Sequence, residues 1–304
     1  MNRLGQHDDF ATFISRFLSG KHQKISVNAG LSCPNRDGRK GTGGCTYCNN
    51  QSFSPAFAGA TRPVAEQLEE GKRFFAGKYP TMRYLAYFQS YTATNSSTPH
   101  LAELFRQALE VDGVDGLIIG TRPDCMADDL LEHLRELSRN SFVMIEYGAE
   151  TSNDRTLETV NRCHTWADTV RAVERTSEAG LPVGLHLIMG LPGESEKEIM
   201  ETIDAVNALP VDIVKCHQLQ LIRGTRLARQ VNSGEISVRT FDVDEYLSLC
   251  CRIIDRLRPD IAIERFVSQS PDELLIAPRW GLKNYQFTDR LRKHYNSGAY
   301  REKK

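Results

Sequence analysis

Cys33, Cys45 and Cys48 fall in one stretch with the spacing C-x11-C-x2-C. Clustered thiolates are ligands for soft metal centres, and two such centres fit this density. An iron–sulfur cubane held by three protein thiolates leaves one iron open to an outside ligand. Structural zinc is usually four-coordinate and often drawn from two paired motifs. This sequence has a single C-x2-C pair and no H-x3-H. The residues alone leave cluster and zinc both open, with three unrelated cysteines as a third reading. Gly38, Gly41, Gly43 and Gly44 lie between the cysteines. Glycine accepts positive φ without steric cost, so such a loop can wrap closely around a bulky group. Cys125, Cys163, Cys216, Cys250 and Cys251 show no paired ligand spacing, and most of them are expected in the core. Cys125 is the exception, because it falls beside polar residues that follow a strand.

Such a loop needs a scaffold to aim it. QKISVN, MRYLAYF, VDGLIIG, FVMIEYG, PVGLHLIMG and VDIVKCHQLQ read as strands, separated by amphipathic stretches such as PHLAELFRQALE and EKEIMETIDAVNAL. This alternation predicts a parallel sheet covered by helices. The expected fold is α/β: a partial (βα)6 TIM-like barrel over residues 23–224. An N-terminal helix over 1–22 and a C-terminal α/β extension over 225–304 flank it. The first helix would place Phe10, Phe13, Ile14, Phe17 and Leu18 on one face, capped by Asp8 or Asp9 and ended by Gly20. In βα barrels, function gathers where the strands end. There the sequence carries the cysteine loop, Gln89-Ser90-Tyr91, Arg122-Pro123-Asp124, Glu146 with Glu150, Gly190-Leu191-Pro192-Gly193, and Lys215 with His217.

Composition narrows the classes. The chain has 304 residues, 40% hydrophobic and 25% charged, with a net charge of −1. Near-zero charge supplies no global field for nucleic acid. No apolar run approaches the ~20 residues of a membrane helix. MNRLGQHDDF lacks an apolar signal core, so a cytoplasmic location is expected, where structural disulfides are rare.

With these residues in view, the cysteine loop resembles that of the radical S-adenosylmethionine superfamily. There three cysteines bind a [4Fe-4S] cluster and an aromatic residue, here Tyr47, precedes the last. The usual superfamily spacing is C-x3-C-x2-C; the longer first spacer is similar to that of the Elongator catalytic subunit. KISVNAGLSCPNRDGRKGTGGCTYCNN resembles still more closely the YhcC-like branch, near the Elongator radical domain and the oxygen-independent coproporphyrinogen oxidases. YFQSYT, IGTRPDC, RTLETVNRCHTW, LIMGLPGES, IRGTRLA and LLIAPRW extend the resemblance over nearly the whole chain. It implies a radical enzyme with Cys33, Cys45 and Cys48 on the cluster. The cluster would cleave S-adenosylmethionine reductively to a 5′-deoxyadenosyl radical, fed by a low-potential donor such as flavodoxin or ferredoxin. A tRNA-modifying radical enzyme and a non-catalytic zinc-stapled binding module are the alternatives.

The same resemblance implies roles for single residues. Glu150 would bind ribose hydroxyls and Arg162 the methionine carboxylate. Ile188, Met189 and Gly190 would pack on adenine, although the motif usually has glycine where this chain has His186. Gln89 and Ser90 stand where many members carry Gly-Gly-Glu against the methionine amino group. Glu146 and Glu150 lie four apart in a strand and so share a face with Gly148. A buried carboxylate needs a partner, and for these two a salt bridge to Arg122 or Lys215 is the alternative to a ligand. Arg122, Asp124, Cys125 and His217 are candidates on the substrate side. Basic residues interleaved with Tyr295 and Tyr300 run from Arg290 to Lys304, and Arg36, Arg39 and Lys40 lie in the cysteine loop. Such a pattern can grip phosphate and stack on bases, so RNA is the macromolecular substrate to test.

Overall fold

The computed structural model describes residues 3–55, 57–77 and 81–301. Seven parallel strands form one sheet in sequence order: β1 (His22–Val27), β2 (Arg83–Phe88), β3 (Val114–Thr121), β4 (Phe142–Glu150), β5 (Val183–Met189), β6 (Ile213–Gln218) and β7 (Ala262–Arg265). The sheet curls into a half-barrel, with β1 and β7 as its edge strands. The six expected strands are all present. The seventh comes from the segment assigned to the C-terminal extension, which returns to pair in parallel with β6.

Strand alternation sorts the side chains into two layers. On β4, Val143, Ile145, Tyr147 and Ala149 join the core beneath the helices, while Phe142 and Met144 face inward. On β5, Val183, Leu185, Leu187 and Met189 face the helices. The outer layer includes α2 (Val64–Ala76), α3 (Thr98–Leu109), α4 (Asp128–Leu137), α6 (Trp166–Glu178) and α7 (Glu196–Asn207). Capping boxes start α6 at Thr165 and α7 at Ser195, where Asp168 and Glu198 return the hydrogen bond to the cap.

The first helix, α1, is shorter than its pattern predicts, spanning Phe10–Ile14 with Asp9 as its cap. Phe13 and Ile14 pack on Leu85, Ile118, Met144 and Ile213 from four strands. α1 therefore plugs the barrel at the starts of its strands. Residues beyond it turn back before β1, and Phe17 is left half exposed. After β6 come α8 (Arg226–Asn232), α9 (Val243–Arg256) with the Asp242 cap, β7 and α10 (Asn284–Ser297). Leu221–Ile222 and Leu275–Ala277 form a short antiparallel ribbon. Among the described residues, no helix is long and apolar enough to cross a membrane.

Candidate active site

The cysteine loop holds itself together through backbone bonds. The Cys33 carbonyl accepts from Arg36 and Asp37, the Pro34 carbonyl from Lys40, and the Asn35 carbonyl from Gly44. Gly44 has φ +75°, where any other side chain would be strained, and a Cβ there would stand 2.8 Å from the Arg36 guanidinium. The loop is tied to the barrel by α5 (Asp154–Thr159) and the turn after it. Thr46 donates its N–H to the Val160 carbonyl, and the Asn161 amide donates to the carbonyls of Thr42 and Gly44. All eight cysteines are free thiols. Cys33 and Cys45 are buried, and Cys45 and Cys48 stand on the wall of a cavity of about 230 Å³ at the strand ends.

Two donors approach the Cys45 sulfur: Arg162 Nη1 at 3.5 Å and Asn35 Nδ2 at 3.7 Å. Arg162 also donates to the Gly148 carbonyl at 2.6 Å and lies 3.2 Å from Glu150 Oε1. Its Nε is buried without a partner, as is the Tyr47 hydroxyl. Burial works against the Arg162 charge, but Tyr47, Cys45 and Glu150 outweigh it and hold the guanidinium protonated. Glu150 itself sits at φ +69°, just past a bulge in the β4–β5 register. A non-glycine residue in that region is strained, a feature that clusters at functional sites.

Below this rim lies a buried charge network that single-strand patterns do not reveal. Glu146 accepts from Lys24 at 2.8 Å, Lys215 at 2.8 Å and the Tyr87 hydroxyl at 2.7 Å, and its Oε2 lies 2.7 Å from His186 Nε2. Glu264 pairs with Lys24 at 2.5 Å and Lys215 at 3.3 Å. Burial pushes Glu146 up, but the charges of Lys215 and Lys24 and a hydrogen bond with His186 hold it well below the usual carboxylate range. Burial pulls Lys215 down to about 8, which leaves it protonated at neutral pH. Burial, then Arg265 and His186, drive His217 well below its ordinary value, so it is neutral.

The Radical SAM superfamily model matches residues 36–206, and that of the Radical SAM C-terminal domain matches residues 211–297. The chain belongs to the radical SAM superfamily. It is 33% identical to YtqA of Bacillus subtilis over 281 residues, 92% of this chain and 87% of that protein. It is 35% identical to YhcC of Escherichia coli K12 over 272 residues, 89% of this chain and 86% of that protein. In fold it resembles archaeal Elp3 of Methanocaldococcus infernus, with a TM-score of 0.68 and 15% identity. That likeness covers 92% of this chain but 64% of the Elp3 chain.

In this radical SAM protein the cavity brings together Cys45, Tyr47, Cys48, Gln89, Arg122, Glu146, Glu150, Arg162, Ile188 and His217 of the expected site. Strand alternation turns Met189 away, into the helix-side core. Gly190 (φ +89°) faces Phe241, whose ring a Cβ would meet at 2.8 Å. Ser90 is buried off the cavity wall. Asp124 pairs with Arg122 at 2.9 Å and Lys40 at 2.8 Å, clamping the cysteine loop to the end of β3. Cys125 lies outside the cavity, and burial pushes its thiol up to about 12. Of the two readings for Glu146, the geometry shows the salt bridge to Lys215, with four polar groups already around its carboxylate. Lys24, Glu264 and Arg265 were missed. For Glu264 and Arg265 the one sequence signal is their adjacency in IAIERF, where two successive charges break the period of two.

The aromatic residues of the basic tail have partners within the fold. The Tyr295 and Tyr300 hydroxyls donate to Asp255 of α9 at 2.7 and 2.6 Å, and their rings stack on each other. Lys303 and Lys304 lie outside the described residues. In the loop, Arg36 donates to the Cys48 carbonyl and Arg39 pairs with Asp37. The two tyrosines therefore pack on α9, while Arg290 stays exposed on α10.

Three cysteine thiolates are a donor set that an iron–sulfur cluster can use. Among the described residues, no three Cys, His, Asp or Glu side chains are grouped so as to hold one metal ion. A zinc staple needs four ligands on one point. A cubane takes each thiolate on a different iron. The buried, unpartnered Tyr47 hydroxyl and Arg162 Nε beside Cys45 leave polar capacity for a ligand in the cavity.

Proposed function

We propose that Cys33, Cys45 and Cys48 hold a [4Fe-4S] cluster and that the protein cleaves S-adenosylmethionine reductively. The observation that carries this reading is the meeting of Cys45 and Cys48 with the Glu150–Arg162 pair around one cavity at the strand ends. When bound, the cluster supplies an iron with an open position and the electron that splits the sulfonium into methionine and a 5′-deoxyadenosyl radical. A low-potential donor such as flavodoxin or ferredoxin delivers that electron.

The chain's residues orient the cofactor. Arg162, with its guanidinium already beside Glu150, receives the methionine carboxylate, since a guanidinium fork suits carboxylate geometry. Gln89 spends its NH2 group on Ser26 Oγ at 2.8 Å and the Phe53 carbonyl at 3.2 Å. Its side-chain oxygen is then free to accept from the methionine ammonium. Glu150 accepts from ribose hydroxyls, and Ile188 offers an apolar contact for adenine. Tyr47, Tyr87 and Phe53 line the cavity and keep water from the reacting centre.

Anaerobic reconstitution with iron and sulfide tests the reading. The protein should show cluster absorbance and, with a strong reductant, release 5′-deoxyadenosine from S-adenosylmethionine. The Cys33→Ala/Cys45→Ala/Cys48→Ala triple variant should do neither. A triple variant that retains the cluster overturns the ligand assignment.

A further inference from the structure

The half-barrel has a second and larger opening. A cavity of about 900 Å³ lies between its edge strands, with Lys24 and Ser26 of β1 on one side and Glu264 and Arg265 of β7 on the other. It shares Ser52, Phe53, Tyr87, Gln89, Arg265 and Ser268 with the cavity at the cysteine loop. The two spaces are therefore contiguous, and Arg265 stands at their junction.

Arg265 is there because of a backbone irregularity. Ile263 faces the helix-side core, and Glu264 faces inward, as alternation requires. Alternation would turn Arg265 outward again. Instead the β6–β7 register shifts between Ile263 and Arg265, so that Arg265 pairs with Lys215. Two successive charged residues thus enter the interior, the re-aiming that bulges near active sites perform.

The other interior cations have partners. Lys24 and Lys215 share Glu146 and Glu264, Arg162 has Glu150, and Arg122 has Asp124. The Arg265 guanidinium makes no hydrogen bond or ion pair with any described residue, and its Nε is buried without a partner. Around the network, Lys24, Lys215 and Arg265 give three positive charges against the two of Glu146 and Glu264. His186 and His217 are pulled toward neutrality by burial and do not alter that balance. One cation is in surplus, and a half-buried charge is stable when an anion meets it. Part of the same cavity's wall is aromatic: Phe53, Phe57, Phe74 and Phe75 line it beside Glu70, and Phe74 is 73% exposed.

We propose that Arg265 anchors an anionic group, a carboxylate or a phosphate, of a substrate whose apolar body enters between β1 and β7. The guanidinium fork matches either anion bidentately. The aromatic part of the wall holds the apolar part, and the junction sets the bound molecule against the cofactor cavity. That this molecule is the substrate of the radical reaction rests on the function proposed above; the anion site itself does not.

Arginine modification tests the site without knowledge of the substrate. The full chain is treated with phenylglyoxal, and the modified peptides are quantified by mass spectrometry. Phenyl phosphate and phenylacetate are the probes, with chloride at equal ionic strength as control. Exposed Arg290 on α10 is the internal reference. At least one probe should slow modification of Arg265 by about fivefold or more, following the factor 1 + [L]/Kd. Arg290 should not change. The probe that protects tells a phosphate-bearing substrate from a carboxylate. If neither protects, the proposal fails, whether or not the protein takes up a cluster. In the reconstituted protein, protection by S-adenosylmethionine alone would assign Arg265 to the cofactor and also overturn it.

Discussion

Lys24 Nζ on β1 and Glu264 Oε2 on β7 meet at 2.5 Å, so one ion pair ties together the two edge strands of the half-barrel. Both side chains are nearly buried, at 12% and 13% exposure, and both also touch the Glu146–Lys215 pair. At this level the two edges are thus linked by charge rather than by backbone hydrogen bonds, and the cavity between them stays open. Charges in such an enclosed network interact more strongly than surface pairs, because water screens them less.

This link should be measurable as a coupling energy. A double-mutant cycle on Lys24→Met and Glu264→Met, read by urea denaturation, should give an interaction of about 1–3 kcal/mol. A coupling below about 0.5 kcal/mol would mean that the edges are held by other contacts.

Gly148 should be intolerant of even one methyl group. A Cβ there would stand 2.5 Å from Arg162 Nη2 and 2.8 Å from Glu150 Oε1. Gly148→Ala should displace that pair and weaken S-adenosylmethionine binding by about tenfold or more, equivalent to about 1.4 kcal/mol. Iron content should be unchanged. Equilibrium dialysis with reconstituted protein gives the affinity, and an unaltered value would separate the pair from the cofactor.

Glu150→Ala and Arg162→Ala should each cost cofactor affinity, because each removes a charged partner from a buried site. Losses of about tenfold or more are expected, corresponding to a charged hydrogen bond of about 1.5–3 kcal/mol. Both variants should still take up a cluster, as judged by iron and sulfide analysis. Equal affinity in wild type and both variants would assign the pair a purely structural role.

Glu194 should make stability fall as pH rises through weakly acidic values. Burial pushes its carboxyl up to about 6 from an ordinary 4.5, against the hydrogen bonds from Thr151 and Thr156. The folded protein therefore holds this proton more tightly than the unfolded chain. Its contribution is complete below the unfolded value and is lost as pH passes through the folded one. Glu194→Gln keeps a neutral group at all pH values. Relative to wild type it should gain about 1–2 kcal/mol between pH 4.5 and 7.5, measured by urea denaturation. A pH-independent difference would show that Glu194 is not held protonated.

The sequence by itself determined the strands, the end of the barrel that carries function, and the cysteine loop. Each is written in residues close together: apolar runs between amphipathic helices, C-x11-C-x2-C, and polar signatures after every strand. It also placed Glu146, Gly148 and Glu150 on one face, because a strand's period of two is a local property. Only the tertiary structure decided what those side chains meet. Glu146 finds Lys24, Lys215, Tyr87 and His186 from four other strands. The Lys24–Glu264 contact joins residues 240 positions apart. The bulge that turns Arg265 inward is a register shift between two strands, which neither strand encodes alone. The two tyrosines of the tail look free in sequence yet are bound to Asp255, because α10 folds back on α9. Periodicity fixes which way a side chain points relative to its own backbone. The partner it meets depends on how the sheet curls.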